Sequence, residues 1–446
     1  MNKNETFSAK ILNYGCNGEG VAKVNGEAVF VPYSLVDENI DGIVIKANSK
    51  SCVAKITDIQ NKNANRIAPP CPYFSKCGGC QLQHANYEHA LEIKTKIVQN
   101  AISNIGKIDY KVPNVLPSNE IYHYRNKIAM PINPKTKKLG MFRTSSHSII
   151  DIDECLLQKP LTSKLIKVFN EYLSKTKTSI FDETTKKGLL KHLVARELKN
   201  KILITVVING NDLPDKEFLV SLLKKNFDNF GLSLNINKLK NNVILTTAFV
   251  DVCGKNEIDV CEHNIRYSIN NGSFLQINDE IKDTMYQKIF EEIENETVVD
   301  AYSGAGLLSA MLAEHAKQVF GIEIIEEATK IADKIKDDNL IQNLTNINGD
   351  CAVRLPELLN SLTDIEKQNL IVILDPPRKG CDKKVLDAIL SVKPNKIIYM
   401  SCDPSTLARD LNILNDSGMY EIKYIQPYDM FPQTKHVETL AVLLKK

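Results

Sequence analysis

The chain has 446 residues, 43% hydrophobic and 25% charged, and its 56 Lys and Arg against 54 Asp and Glu leave a net charge of +2. That length allows roughly two to four domains with buried cores, and the composition excludes intrinsic disorder and collagen-like repeats. Net charge by itself points to no nucleic-acid partner, and eleven cysteines are too many and too scattered for a small disulfide scaffold. The N-terminal stretch lacks the apolar core of a signal peptide, and no apolar run reaches membrane-spanning length. The reading is a cytosolic protein with reduced thiols, whose cysteines serve as ligands, nucleophiles or buried apolar residues.

Residues 1–61 read as a small all-β unit. Short alternating stretches such as Phe7 to Ile11 and Ala28 to Val31 are punctuated by Gly15, Gly18, Gly20, Gly26 and Gly42. Five such strands fit an OB-like barrel. The run from Gly18 to Ala22, then Val29 to Pro32, then Ile43 and Val44, resembles a TRAM domain, an RNA-binding barrel found on RNA-modifying enzymes.

Residues 62–270 read as a central α+β unit that opens on a cysteine cluster. Cys71, Cys77 and Cys80 lie within ten residues, and Cys155 is a distant fourth candidate. Four thiolates can hold zinc or an iron–sulfur cluster. One triplet with one remote partner is the commoner pattern for a cubane, whereas structural zinc favours two tight pairs. The spacing is not that of radical S-adenosylmethionine enzymes. The near-neutral charge also hides a polarity: residues 62–150 carry 13 Lys and Arg against 4 Asp and Glu, whereas residues 280–370 carry 8 against 18. Charge runs alone are usually solvated faces. Here Tyr122 and Tyr124 interleave with Arg125 and Lys127, and Lys135, Lys137, Lys138 and Arg143 follow, a mixture suited to stacking on bases and pairing with phosphates. Further on, the pattern predicts a helix over 161–173 and strands over 189–196, 202–208 and 243–247. His192 and Arg196 share a strand face there, with a structural role as the default.

Residues 271–446 carry a Rossmann-like α/β pattern. An apolar strand from Thr297 ends in Asp300, Tyr302, Gly304 and Gly306, a helix follows, and a second strand ends at Glu323, 19 residues after Gly304. That is the spacing at which a carboxylate meets ribose hydroxyls. There is no third fingerprint glycine and no P-loop lysine. A nucleoside without a pyrophosphate therefore fits best, and S-adenosylmethionine is one. Later strands end in Asp375-Pro376-Pro377-Arg378-Lys379-Gly380 and in Ser401-Cys402-Asp403-Pro404. Cys402 falls at a strand-to-helix turn, where helix N-terminal amides would lower a thiol pKa. His436 and Glu438 begin the last apolar strand, sharing a face, with Glu438 a candidate general base.

Together, the Asp375 to Gly380 loop, Ser401 to Pro404 and His436 to Thr439 closely resemble the RNA uracil-5-methyltransferase family. The order of TRAM-like barrel, cysteine cluster and S-adenosylmethionine domain resembles its 23S ribosomal RNA branch. The resemblance implies Cys402 as nucleophile and Glu438 as base. It implies cofactor contacts at Gln276, Tyr302, Gly304, Glu323 and Asp375, more weakly at Asp350, and a [4Fe-4S] cluster on Cys71, Cys77, Cys80 and Cys155. Ser303 and Leu307 depart from residues common in relatives, which bears only on fine cofactor contacts. The expected enzyme methylates C5 of a uridine in 23S ribosomal RNA, in the cytoplasm and as a monomer. Transfer RNA is the runner-up substrate, although relatives acting on it usually lack barrel and cluster. A non-catalytic RNA-binding ribosome-assembly protein and an amino-group methyltransferase are the other readings. Cys16, Cys52, Cys253, Cys261, Cys351 and Cys381 have no assigned task.

Overall fold

Alternation in the first strand, Thr6–Tyr14, buries Phe7 and Ile11 in one core, and Tyr14, beyond a bulge, packs instead against Leu35 and Ile93. The strands Gly20–Val24, Glu27–Val31, Asn39–Ala47 and Ser51–Asn61 repeat the pattern. They close into a five-stranded barrel in the order first, second, third, fifth, fourth, with the fourth pairing back on the first. Val29, Val31, Ile40, Val44 and Cys52 fill its interior, and closure leaves no free sheet edge. The computed structural model describes residues 1–48, 51–144 and 146–446.

The chain leaves the barrel through an ion pair. Glu38 is fully buried, and Arg66 grips its carboxylate from Nε at 2.5 Å and Nη2 at 2.7 Å. Burial raises the pKa of Glu38, but Arg66 and the amides of Leu35 and Asn63 win and hold it below the usual carboxylate value.

The middle of the chain builds a five-stranded sheet in the order Phe249–Cys253, Phe230–Ile236, Lys201–Ile208, Leu190–Leu198, Lys127–Pro131. The helices Pro160–Lys175 and Lys216–Asn226 cover it through Leu165, Phe169, Leu219 and Leu223. The strand expected over 243–247 is absent. Asn237 Nδ2 donates to the Val243 and Ile244 carbonyls at 2.7 and 2.9 Å, and Asn235 Nδ2 to that of Thr246 at 2.9 Å. Side-chain amides thus replace the ladder, and pairing begins only at Phe249.

The last third forms a seven-stranded sheet: Leu344–Asn348, Gln318–Glu323, Thr297–Ala301, Leu370–Leu374, Lys396–Ser401, Glu438–Lys445, Tyr420–Tyr428. The first five run parallel, and Glu438–Lys445 is antiparallel to both its neighbours. Chain order reverses between Thr297–Ala301 and Leu370–Leu374, so ligands belong in the crevice beyond those strands' carboxyl ends. The helix Tyr87–Asn100, started by Asn86 accepting from the His89 amide at 2.9 Å, belongs to this layer in space. Val98, with Ala101 and Ile102 beyond it, packs in one core with Leu407, Ala408 and Leu411.

Replacing Arg66 with Met leaves Glu38 buried and unpaired, and should cost about 3 kcal/mol in denaturant unfolding. Because the folded pKa of Glu38 is depressed, the wild-type pair stabilises above the unfolded value near 4.5 and its contribution fades as pH falls through the folded value. The variant should lose that part of the pH dependence.

Candidate active site

The carboxyl edge of the seven-stranded sheet gathers the proposed chemistry. Lys396–Ser401 and Glu438–Lys445 pair antiparallel, ending with Ser401 opposite Thr439. Cys402 follows Ser401 and Glu438 precedes Thr439, so the two flank the last paired step of adjacent strands. Next to them, Leu374 pairs with Tyr399 and with Ala301, so Asp375 leaves the sheet between the Cys402 and Tyr302 turns.

Electrostatics at this edge is dominated by buried acids. Glu438 is 4% exposed. Burial first, then Asp375, pushes its pKa well above the ordinary value, against the pull of Arg378. Burial, then Asp300, raises Asp375 to about 7, and burial raises Asp300 to about 7 although the Ser309 hydroxyl donates to it at 2.5 Å. Asp300 was not among the residues expected in the site; a carboxyl inside an apolar strand was its only signal.

The expected activation of Cys402 by the helix terminus is not what the structure shows. The side chain of Asp403 caps the helix Pro404–Asp416, accepting from the Ser405 and Thr406 amides at 2.9 and 3.3 Å. Those amides are therefore not free for the thiol. Burial, then Glu438, raises Cys402 to about 11, and Arg378 opposes both. Arg378, part of the Asp375 to Gly380 motif but assigned no role from it, is thus the cation shared by Cys402 and Glu438. His436 precedes the strand and does not share a strand face with Glu438. Burial and Arg378 lower its pKa to about 4, leaving it neutral.

The glycine-rich turn is shaped as a cradle. Tyr302, Gly304 and Gly306 have φ of 67°, 56° and 73°, a strained choice for tyrosine. A Cβ on Gly304 would meet nothing within 4 Å, whereas one on Gly306 would lie 2.4 Å from Ala332 Cβ. Glu323 accepts from the Gly304 amide at 3.0 Å and the Ile325 amide at 2.8 Å, fixing the turn. Gln276 is held by its backbone, its carbonyl accepting from Asn126 Nδ2 at 2.8 Å. Asp350 is exposed and caps the helix Cys351–Ser361, accepting from Ala352 at 2.9 Å.

Two joined cavities lead away from Cys402. One, about 430 Å³, runs from Cys402 and Arg378 to Tyr14 and Phe30 of the barrel, and the next, about 790 Å³, continues past Phe30 to Tyr33, Phe142 and Arg143. Phe142 is exposed, but Tyr124, expected to stack on bases, is buried with its hydroxyl donating to the Pro432 carbonyl at 3.0 Å. A third cavity, about 360 Å³, is lined by Cys71, Cys77, Cys80 and Cys155 with Arg125 and Lys127. Burial raises the pKa of Cys77 and Cys155 and lifts Cys80 to about 12. Among the described residues, no group of three or more His, Cys, Asp or Glu side chains is placed to hold a metal ion.

The family described as tRNA (uracil-5-)-methyltransferase matches residues 86–446. An uncharacterized RNA methyltransferase of Clostridium tetani is 37% identical over 99% of this chain and 97% of its own, and one of Listeria monocytogenes 36% identical over 99% and 98%. Among solved structures, the Pyrococcus abyssi tRNA (uracil-54, C5)-methyltransferase in complex with S-adenosyl-L-homocysteine superposes with a TM-score of 0.78, at 27% identity, over 98% of this chain and 100% of that one. The chain belongs to the tRNA (uracil-5-)-methyltransferase family. The Pyrococcus match spans the barrel as well.

Replacing Arg378 with Gln removes the cation that opposes the rise in the Cys402 pKa. Alkylation of Cys402 by iodoacetamide, followed on its peptide by mass spectrometry at about pH 8, should slow about tenfold, one pKa unit further from the thiolate. In wild type the same rate should climb with pH until about 11.

Proposed function

We propose that this methyltransferase transfers the methyl group of S-adenosylmethionine to C5 of a uridine in 23S ribosomal RNA through a covalent Cys402–C6 adduct. The observation that supports the reading is the last paired step, Ser401 opposite Thr439, which leaves Cys402 and Glu438 flanking it at the sheet's carboxyl edge. Uracil C5 is a weak nucleophile. Addition of the Cys402 sulfur to C6 yields an enolate whose C5 attacks the sulfonium methyl. Glu438 then takes the C5 proton, the C5–C6 double bond reforms, and the C6–S bond breaks with its electron pair returning to Cys402. A carboxyl held above its usual pKa is a competent base for so weak an acid, and Arg378 favours the thiolate at both ends of the cycle.

The methyl donor fits the crevice beside the Gly304 turn. The open space above Gly304 leaves room for its nucleoside, Glu323 is fixed on that turn, and Asp300 and Asp375 lie at the ends of the two neighbouring strands; among the described residues, none of the three carboxyls forms an ion pair. A sulfonium supplies the missing positive charge. Gln276, Tyr302, Gly304, Glu323 and Asp375 are the residues assigned to hold it, with Asp350 left to its helix cap.

We assign a [4Fe-4S] cluster to the four cysteines, which line a common cavity although their thiols are not gathered as closely as a bound ion requires. Burial disfavours the thiolates of Cys77, Cys80 and Cys155 unless positive charge sits among them. Such a cluster supplies a rigid fold for the 71–80 loop beside the RNA groove. The joined cavities lined by Phe30, Tyr33, Phe142 and Arg143 fit single-stranded nucleotides flanking a flipped-out uridine. A transfer RNA substrate is the second reading, favoured by the full-length likeness to the Pyrococcus protein.

Cys402→Ala should abolish both methylation and the denaturation-resistant adduct with 5-fluorouridine RNA, and full activity in that variant would refute the covalent route. Mapping 5-methyluridine in ribosomal and transfer RNA of a deletion strain decides the substrate, because the missing modification marks it. Protein purified without oxygen should carry about four iron atoms per chain and absorb broadly near 400 nm. Cys80→Ser should lose most of both.

A further inference from the structure

The loop from Asp429 to Val437 delivers Glu438 to the active site, yet much of it is buried. A buried loop must find partners for its carbonyls. Here the partners come from residues 81–124. Lys94, 0% exposed on the helix Tyr87–Asn100, spends all three ammonium hydrogens on this loop. One goes to the Asp429 carboxylate, one to the Phe431 carbonyl at 3.0 Å and one to the His436 carbonyl at 2.9 Å. Tyr87 donates to the other Asp429 oxygen at 2.8 Å. The amides of Gln81 and Leu82, directly after Cys80, both donate to the Gln433 carbonyl at 3.1 Å, and the Lys435 amide donates to Gln81 Oε1 at 3.2 Å.

The His436 carbonyl lies two residues before Glu438. A rotation there would swing the base away from its place beside the last paired step. We infer that Lys94 is a positioning residue for proton abstraction: by fixing the His436 carbonyl it aims Glu438 at the C5 hydrogen, without touching substrate or methyl donor. The inference rests on the covalent mechanism proposed above. That mechanism gives it a specific signature, because loss of the base leaves nucleophilic addition and methyl transfer intact. The C5 proton then stays, the C6–S bond cannot break by elimination, and protein remains joined to methylated RNA.

The test uses the full-length protein, an in vitro transcript of the RNA identified by mapping, and radiolabelled S-adenosylmethionine. Lys94→Met is paired with Asp429→Asn so that no buried charge is orphaned, and Tyr87→Phe is a milder second variant that loosens Asp429 alone. Both are assayed for released 5-methyluridine and for labelled protein–RNA adduct on denaturing gels. Released product should fall at least about tenfold in the double variant while adduct accumulates, and KM for S-adenosylmethionine should stay within about twofold. Tyr87→Phe should show the same pattern more weakly. Slow turnover without adduct in either variant, or unchanged turnover in the double variant, would overturn the inference. If the double variant fails to bind S-adenosylmethionine, Tyr87→Phe decides alone. Glu438→Gln is the control for the underlying mechanism: if it traps no adduct while wild type is active, the covalent reading fails rather than the role of Lys94.

Discussion

One antiparallel strand organises this molecule. In an all-parallel sheet, every strand would bring its carboxyl end to the crevice and its amino end to the opposite side. Glu438–Lys445 runs the other way, so its first residue reaches the crevice where Lys396–Ser401 ends. Cys402, leaving one strand, and Glu438, entering the next, thus come to the same edge of the sheet. Rigid pairing, rather than side-chain packing alone, sets their separation, and a slip of one residue would turn Glu438 to the other face of the sheet.

That geometry demands a route by which the chain gets to Glu438 from the edge strand Tyr420–Tyr428, and the route crosses the interior. The Asp429 to Val437 segment is held by groups some 340 positions earlier in sequence. The helix Tyr87–Asn100 follows the cysteine loop in sequence but lies with the catalytic layer in space. The cysteine loop, the cavity lined by Phe30 and Phe142, and Glu438 therefore share one frame. Gln81 stands next to a proposed cluster ligand on one side and binds the catalytic loop on the other.

Much of this was legible in the amino-acid sequence. The barrel strands, the Gly304 turn and the strand tips at Glu323, Asp375 and Cys402 follow from period-two alternation and glycine placement, which are local signals. What escaped is non-local. Nothing in the run from Val243 to Thr247 reveals that Asn235 and Asn237 would cap its carbonyls and keep it out of the sheet. Tyr124 reads as a base-stacking ring until Pro432, 308 residues away, takes its hydroxyl. The Cys402 thiol was misjudged because Asp403, its immediate neighbour, competes for the same helix amides. Lys94 looks like any helix-surface lysine in a basic stretch, and only the fold shows it buried.

The carboxyls at and near the Gly304 turn bear on turnover as well as on binding. Under the chemistry proposed here, the donor arrives with a sulfonium charge and departs as a neutral thioether. The crevice therefore attracts the charged form and has no electrostatic hold on the spent one. The same carboxyls that would draw the donor in by charge would thus leave the by-product free to depart.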